Sequence, residues 1–204
     1  MHKGYGKSLK DRILPQDFYA RDAKEVAIDL LGKILVRRYG RRFLKVKIVE
    51  TEAYYGHDDP ASRAYQGKIT RISKVMYEEP GITLIYMVHG GWLMNIVTGK
   101  KGEAQAVLIR AGEPIGGIDL MKKFRKKDNL KDLTTGPAKL TEALKITKEH
   151  HMIKVFDYNS PVFVIEGESD FEVCSSGRIG VKRDLPEPLR FYIKGNEFVS
   201  KIKF

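Results

Sequence analysis

The run over residues 43–55, Phe-Leu-Lys-Val-Lys-Ile-Val-Glu-Thr-Glu-Ala-Tyr-Tyr, alternates apolar and polar side chains over an unusual length. A strand this long needs neighbours for its backbone donors and acceptors, so the chain must fold around a sheet. A bend or bulge is expected within it. The two-residue period aims Glu52 and Tyr54 the same way as Leu44, Val46 and Ile48, with Glu50 in the same parity. A carboxylate on an apolar face is costly unless it is paired or used, and this singles out Glu52 beside its aromatic neighbour.

The remaining patterns supply helices and further strands. Ala23, Val26, Ala27, Leu30 and Leu31 repeat at helical spacing between a capping Asp22 and Gly32, predicting a helix over residues 22–31 that packs on the sheet. Residues 34–39 form a strand antiparallel to the long one, joined by Gly40-Arg41-Arg42. Residues 56–69 read as a loop, and Thr70 caps a short helix through Tyr77. Residues 83–88 and 92–97 flank His89-Gly90-Gly91, a hairpin in which the glycine pair supplies the positive φ. A buried strand over 106–111 precedes a basic helix over 115–127. Gly136-Pro137 then opens a helix with Leu140, Ala143 and Leu144 inward. Short strands are expected over 162–165, 178–182, 189–193 and 198–202.

With 204 residues, 42% hydrophobic content and no linker-like stretch, residues 1–204 are expected to form a single domain. Lys and Arg number 37 against 26 acids, a formal net charge of +11 spread along the whole chain. That balance suits a polyanionic partner as well as a solvated lysine-rich surface. Cys174 is the sole cysteine, which excludes an intrachain disulfide and a cysteine metal cage and points to a reducing compartment. Residues 1–7 lack the apolar core of a signal peptide, and no run reaches membrane-spanning length, so a soluble intracellular protein without membrane association is expected. Neither a phosphate-cradling lysine loop nor a dinucleotide glycine fingerprint is present, which disfavours nucleotide-driven and redox cofactors.

Four constellations carry chemistry. Glu52 is a candidate general base, with Arg110 as the cation that keeps it ionised; the bland alternative is a buried Glu-Arg pair. Tyr54 and Tyr86 on neighbouring strands form a slot for a flat heterocycle, or ordinary cross-strand packing. His89 at the hairpin tip is a candidate minor-groove wedge. Asp58 and Asp59 with Glu50 and Glu52 offer a weak case for a hard-metal nuclease site, whereas His57, His150 and His151 lack metal-ligand spacing. Arg71, Arg110, Lys122 and Lys123 are candidate phosphate contacts.

The ordered set Leu30-Leu31-Gly32-Lys33, Ile48-Val49-Glu50-Thr51-Glu52-Ala53-Tyr54, Asp59-Pro60-Ala61-Ser62, Leu93-Met94-Asn95, Val107-Leu108-Ile109-Arg110-Ala111, Glu113-Pro114, Gly136-Pro137-Ala138-Lys139-Leu140, Arg178-Ile179-Gly180-Val181 and Arg190-Phe191-Tyr192-Ile193, with Gly195 and Ser200, resembles the alkyladenine (3-methyladenine) DNA glycosylase family across nearly the whole chain. The resemblance implies an α+β fold: a single mixed domain with a curved antiparallel β-sheet, flanking helices and a protruding hairpin that inserts into DNA. It implies a monofunctional glycosylase of base excision repair that hydrolyses the N-glycosidic bond of alkylated or deaminated purines, among them 3-methyladenine, 7-methylguanine and hypoxanthine. The target base is flipped out of duplex DNA. Glu52 matches the water-activating glutamate and Arg110 the catalytic-site arginine. Tyr54 and Tyr86 match the stacking aromatics, and Asn95 matches the pocket asparagine that crowds the amino group of normal guanine. Arg71, His89 and Lys139 fall in the DNA-contacting stretches. No metal and no cofactor are implied, and a monomer in the cytoplasm, nucleoid or nucleus is expected.

Three positions depart from the family pattern. Arg63 stands where a pocket histidine is usual, predicting a shift toward neutral lesions such as hypoxanthine. His89 replaces the tyrosine at the hairpin tip, and Ile72 replaces an asparagine after Arg71. Two rival readings stay open: a metal-dependent nuclease and a non-catalytic damage-binding protein.

Overall fold

The computed structural model describes residues 8–200. The expected strand end at residues 201–202 and the leader reading at residues 1–7 lie outside that span. An open, eight-stranded antiparallel sheet is built from β1 (Ile34–Tyr39), β2 (Arg42–Tyr54), β3 (Thr83–Val88), β4 (Gly91–Val97), β5 (Ala106–Gly116), β6 (Val162–Ile165), β7 (Val173–Ser176) and β8 (Arg190–Ile193). Around it lie the helices α1 (Gln16–Tyr19), α2 (Ala23–Asp29), α3 (Ile118–Arg125), α4 (Lys131–Thr134) and α5 (Pro137–Ala143). The fold is α+β, as the resemblance implied. Among the described residues no helix is long and apolar enough to cross a membrane.

The long strand organises everything else. β2 pairs with β5 along one edge; on the other it pairs with β1 over residues 42–47 and with β8 over residues 50–52. Where β1 leaves and β8 arrives, the register against β5 slips: Ile48 faces Gly112 but Glu50 faces Ala111, leaving Val49 as an extra residue. An extra residue in a two-residue repeat switches every later side chain to the opposite face. The simple alternation is thereby overturned. Leu44, Val46 and Ile48 share the main core with Val49 and Ala53, and the Thr51 hydroxyl donates to Ala27 O of α2 at 2.8 Å. Glu50, Glu52 and Tyr54 point the other way. Glu50 and Glu52 are still fully buried: the Arg190 side chain and the Ser200 amide close over Glu50, and the loop before β8 brings the Ile179 amide onto Glu52.

Three other expectations also change. β5 runs on through Pro114 to Gly116 because Val46 and Lys45 of β2 offer it a partner, so the helix expected from residue 115 starts only at Ile118, after Gly117 at φ 70°. Residues 178–182 are not a strand. The Asp184 carboxylate takes the Arg178 amide at 2.8 Å and closes a turn there, and Val173–Ser176 pairs with β8 instead. Residues 198–200 are irregular because the Asn196 side chain accepts from the Phe198 amide at 2.9 Å, and a local turn replaces strand pairing.

The β3–β4 hairpin turns on two residues, His89 and Gly90, at φ 47° and 80°. Both central residues are left-handed, as in a type I′ turn, so the positive φ falls on His89 and Gly90, with Gly91 already in the strand. Gly91 serves packing instead: a Cβ there would lie 2.4 Å from the Cβ of Ala138 on α5. Gly91→Ala is expected to push α5 off the hairpin base and cost about 1–3 kcal/mol, read as a lower thermal midpoint.

Candidate active site

Glu52 lies in the middle of the sheet, opposite Leu108 of β5 and Arg190 of β8. Its carboxylate accepts from the Tyr54 hydroxyl at Oε2 (2.7 Å) and from the Ile179 amide at Oε1 (2.8 Å), and Arg110 Nη1 stands 3.2 Å from Oε1. Burial raises the carboxyl above its ordinary range; Arg110, the Ile179 amide and the Tyr54 hydroxyl pull it back only in part. Tyr54 is raised well above a free phenol, first by burial and then by Glu52, so its hydroxyl remains a donor. For Arg110, burial acts to lower the value, but Glu52 and Glu50 outweigh it and the guanidinium is held charged.

Arg110 is shared between two acids. Its Nε donates to Glu50 Oε1 at 3.0 Å, and Glu50 also accepts from Arg190 Nε (2.7 Å) and from the Ser200 amide (2.7 Å). Glu50 is therefore the structural member of the pair, held by two cations and a backbone amide. Glu52 also has three partners, but only one of them is a cation and the other two are neutral donors.

In front of these groups lies a cleft of about 880 Å³. Tyr54, Arg110 and Ile179, the three partners of Glu52, line it, which puts the carboxylate directly behind the wall. Tyr86, Val88 and His89 of the hairpin form another side, Ala61 to Arg63 a third, and Pro137 with Ala138 at the start of α5 a fourth. A recess of about 10 Å³ opens off it, lined by Tyr54, Tyr86 and Asn95. Asn95 is buried there, its Nδ2 donating to Leu84 O at 3.2 Å. Tyr86, Leu93 and Asn95 share a face because the β3–β4 register sets Tyr86 opposite Leu93 and Leu84 opposite Asn95.

Arg63 points into this space. Its guanidinium sits 5.0 Å from the centre of the Tyr86 ring, and it lines the cleft, the recess and an adjoining groove of about 630 Å³. That groove also holds Lys68 and Arg71. His89 is exposed at the cleft's rim. Lys139 follows Ala138 on α5 but is outside the lining.

Sequence reasoning named Asp59, Arg178 and Ile179 without their contacts. Asp59, weighed only as a metal ligand, forms a buried pair with Arg178 behind Tyr54, and the Ile179 backbone amide touches the candidate base; reading residues 178–182 as a strand concealed the roles of Arg178 and Ile179. The i, i+2 spacing of Glu52 and Tyr54 did signal proximity, though not the hydroxyl-carboxylate bond. The carboxylates of the nuclease reading do not converge: Glu50 is held by Arg110 and Arg190, Asp59 by Arg178, and Asp58 is exposed beside His57. Among the described residues no group of three or more His, Cys, Asp or Glu is arranged to hold a metal ion.

Known proteins are similar to this chain over most of its length. The family model for methylpurine-DNA glycosylase matches residues 17–197. A protein of Carboxydothermus hydrogenoformans is 42% identical over 194 residues, covering 93% of this chain and 99% of the relative. One from Aeropyrum pernix is 41% identical over 195 residues, with 94% and 95% covered, and one from Clostridium botulinum is 39% identical over 201 residues, with 93% and 99% covered. All three carry the name "Putative 3-methyladenine DNA glycosylase". A match over this much of the chain, joined to a buried glutamate behind an aromatic-walled cleft, leads to one conclusion: the chain belongs to the methylpurine-DNA glycosylase family of DNA-repair hydrolases.

Proposed function

We propose that this glycosylase hydrolyses the N-glycosidic bond of alkylated or deaminated purines flipped out of duplex DNA, with Glu52 activating the attacking water. The observation that carries this reading is the Glu52 carboxylate behind the cleft wall, held by Tyr54, Ile179 and Arg110, all three of which line the cleft. A water entering between those three groups meets the carboxylate. Glu52 takes its proton as the oxygen bonds to C1′ of the deoxyribose, and the glycosidic electron pair leaves with the base. Alkylation at a ring nitrogen makes the purine cationic and a good leaving group, so little more than positioned base catalysis is required. Arg110 keeps the carboxylate ionised. Water, not an amine, is the nucleophile, so no strand cleavage accompanies release.

Tyr54 and Tyr86 are the stacking walls in this reading, and Asn95 crowds the exocyclic amino group of normal guanine. The hairpin enters the minor groove with His89 filling the gap left by the extruded nucleotide, and Arg71 with Lys139 contacts phosphates. The test is incubation, with chelator present, on duplexes carrying one hypoxanthine or one alkylated purine, followed by alkali. Abasic sites formed only at the lesion support the reading. Direct backbone cutting abolished by chelator supports a nuclease instead.

Arg63 bears on which lesion is preferred. A base stacking on Tyr86 must displace a guanidinium already lying 5.0 Å from that ring, and a cationic purine additionally meets a like charge. Neutral hypoxanthine is expected to be cleaved in preference to cationic 3-methyladenine or 7-methylguanine. Arg63→Ala is expected to raise the cationic-to-neutral cleavage ratio roughly 2–30-fold, the range of one cation-ring contact. An unchanged ratio removes Arg63 from lesion selection.

A further inference from the structure

The loop between β7 and β8 contributes a residue that no part of the mechanism above uses. Arg178 has a fully buried side chain with every guanidinium nitrogen engaged. Nη1 donates to Ala53 O (2.9 Å) and to Asp59 Oδ2 (2.7 Å), Nη2 to Asp59 Oδ1 (2.6 Å), and Nε to Asp184 Oδ1 (2.8 Å). Its guanidinium carbon lies 4.5 Å from the centre of the Tyr54 ring. Asp59 in turn accepts from the Tyr55 amide (3.0 Å) and the Ala61 amide (3.0 Å), so it shapes the turn that carries Arg63. One side chain thus joins the end of β2, the loop after it and the loop before β8. All three segments line the cleft, through Tyr54, Ala61 to Arg63 and Ile179 to Arg183.

What makes this more than packing is the next residue. Ile179, adjacent in the chain, is the amide that donates to Glu52 Oε1, and Tyr54, whose ring the guanidinium covers, is the hydroxyl that donates to Oε2. Two of the three donors on the carboxylate are therefore placed by Arg178. We propose that Arg178, clamped by Asp59 and Asp184, is a positioning residue that holds the Ile179 amide and the Tyr54 hydroxyl on the Glu52 carboxylate. Only an arginine fits the role: the planar fork serves two carboxylates and a carbonyl at once, and a lysine ammonium has neither the reach nor the geometry.

The proposal rests on Glu52 acting as the base, and its test separates the two claims. The charged and titratable groups facing Glu52 are Arg110 from β5, Glu50 and Tyr54 from β2, and the cross-strand Arg190 of β8, which is itself paired with Glu50; the Ile179 amide adds an uncharged donor. Losing that amide and loosening the hydroxyl removes two contacts that favour the ionised carboxylate, while Arg110 stays. Single-turnover base release is measured against pH for wild type, Arg178→Lys and Asp184→Asn, with lesion-duplex affinity and thermal midpoint recorded in parallel. Asp184 is partly exposed and removes only one arm of the clamp, so that variant reports even where Arg178→Lys fails to fold. Both variants are expected to bind the lesion duplex within a few-fold of wild type, to release base roughly 10–100-fold more slowly, and to have the acidic limb of the rate profile moved to higher pH. A uniform loss at every pH with an unmoved limb, or a wild-type rate in Asp184→Asn, overturns the role of Arg178 while leaving Glu52 intact. No base release by wild type on any lesion overturns both.

Discussion

Glu52→Gln is expected to lower base release by roughly two to four orders of magnitude while the protein still binds a lesion-bearing duplex. The replacement has nearly the same shape, and its amide oxygen can still accept from Ile179 or Tyr54, so the cleft walls remain in place. What disappears is the capacity to take a proton from water. The sign of the stability change follows from the raised carboxyl. A group bound more tightly to its proton when folded contributes stability below its unfolded pKa, and that contribution is lost as pH rises through the folded value. At neutral pH the ionised Glu52 is thus not a stabilising charge on that account, and a neutral glutamine is expected to leave the thermal midpoint close to wild type. The same direction places the acidic limb of activity above the ordinary carboxylate range. Measuring release, duplex affinity and melting together separates three outcomes: loss of release alone fits a catalytic base, loss of all three fits a structural pair, and no loss fits a damage-binding module.

Glu50→Ala has the largest expected effect on stability. Glu50 is fully buried and accepts from Arg110, Arg190 and the Ser200 amide; its removal leaves Arg110 with Glu52 as its one carboxylate and Arg190 buried with none of the ion pairs it now makes. Stripping one partner from such a buried pair costs about 3–5 kcal/mol. For a chain of this size that is a fall in thermal midpoint of roughly 6–20 °C. Arg190 also reaches Ser176 Oγ (2.9 Å) and Ser200 O (3.2 Å), so the β7–β8 pair and the C-terminal segment are expected to loosen first, seen as faster amide exchange there. Stability within about 1 kcal/mol of wild type would contradict this assignment. Two glutamates separated by one residue are thus expected to differ completely in consequence, one in rate and the other in stability.

Much of the architecture was legible locally. The helix over residues 22–31 contains the observed Ala23–Asp29, the Asp22 side chain caps it through the Lys24 amide at 2.9 Å, and the strands at 34–39, 83–88 and 162–165 fall where their periods placed them. The β3–β4 hairpin was legible from its glycine pair, but its register was not: the turn takes only His89 and Gly90, Gly91 pairs with Val88, and that register puts Tyr86 and Asn95 on one face. Residues 178–182 were not legible, because a β-prone run was captured by a carboxylate six residues on and by another 119 residues back.

Sequence alone carried the period-two strand, the basic surface, the lone cysteine and the ordered motif that nominated Glu52, Arg110 and the two tyrosines. These depend on side-chain alternation and composition, which are properties of neighbours in the chain. The side of the sheet on which Glu52 lies was decided only by tertiary structure. The extra residue at Val49 occurs where β2 exchanges β1 for β8, and that exchange depends on strands more than a hundred residues apart. A single inserted residue reverses the facing of all that follow, so Glu52 left the main core and came to lie behind the cleft, under a loop that no local pattern connects to it.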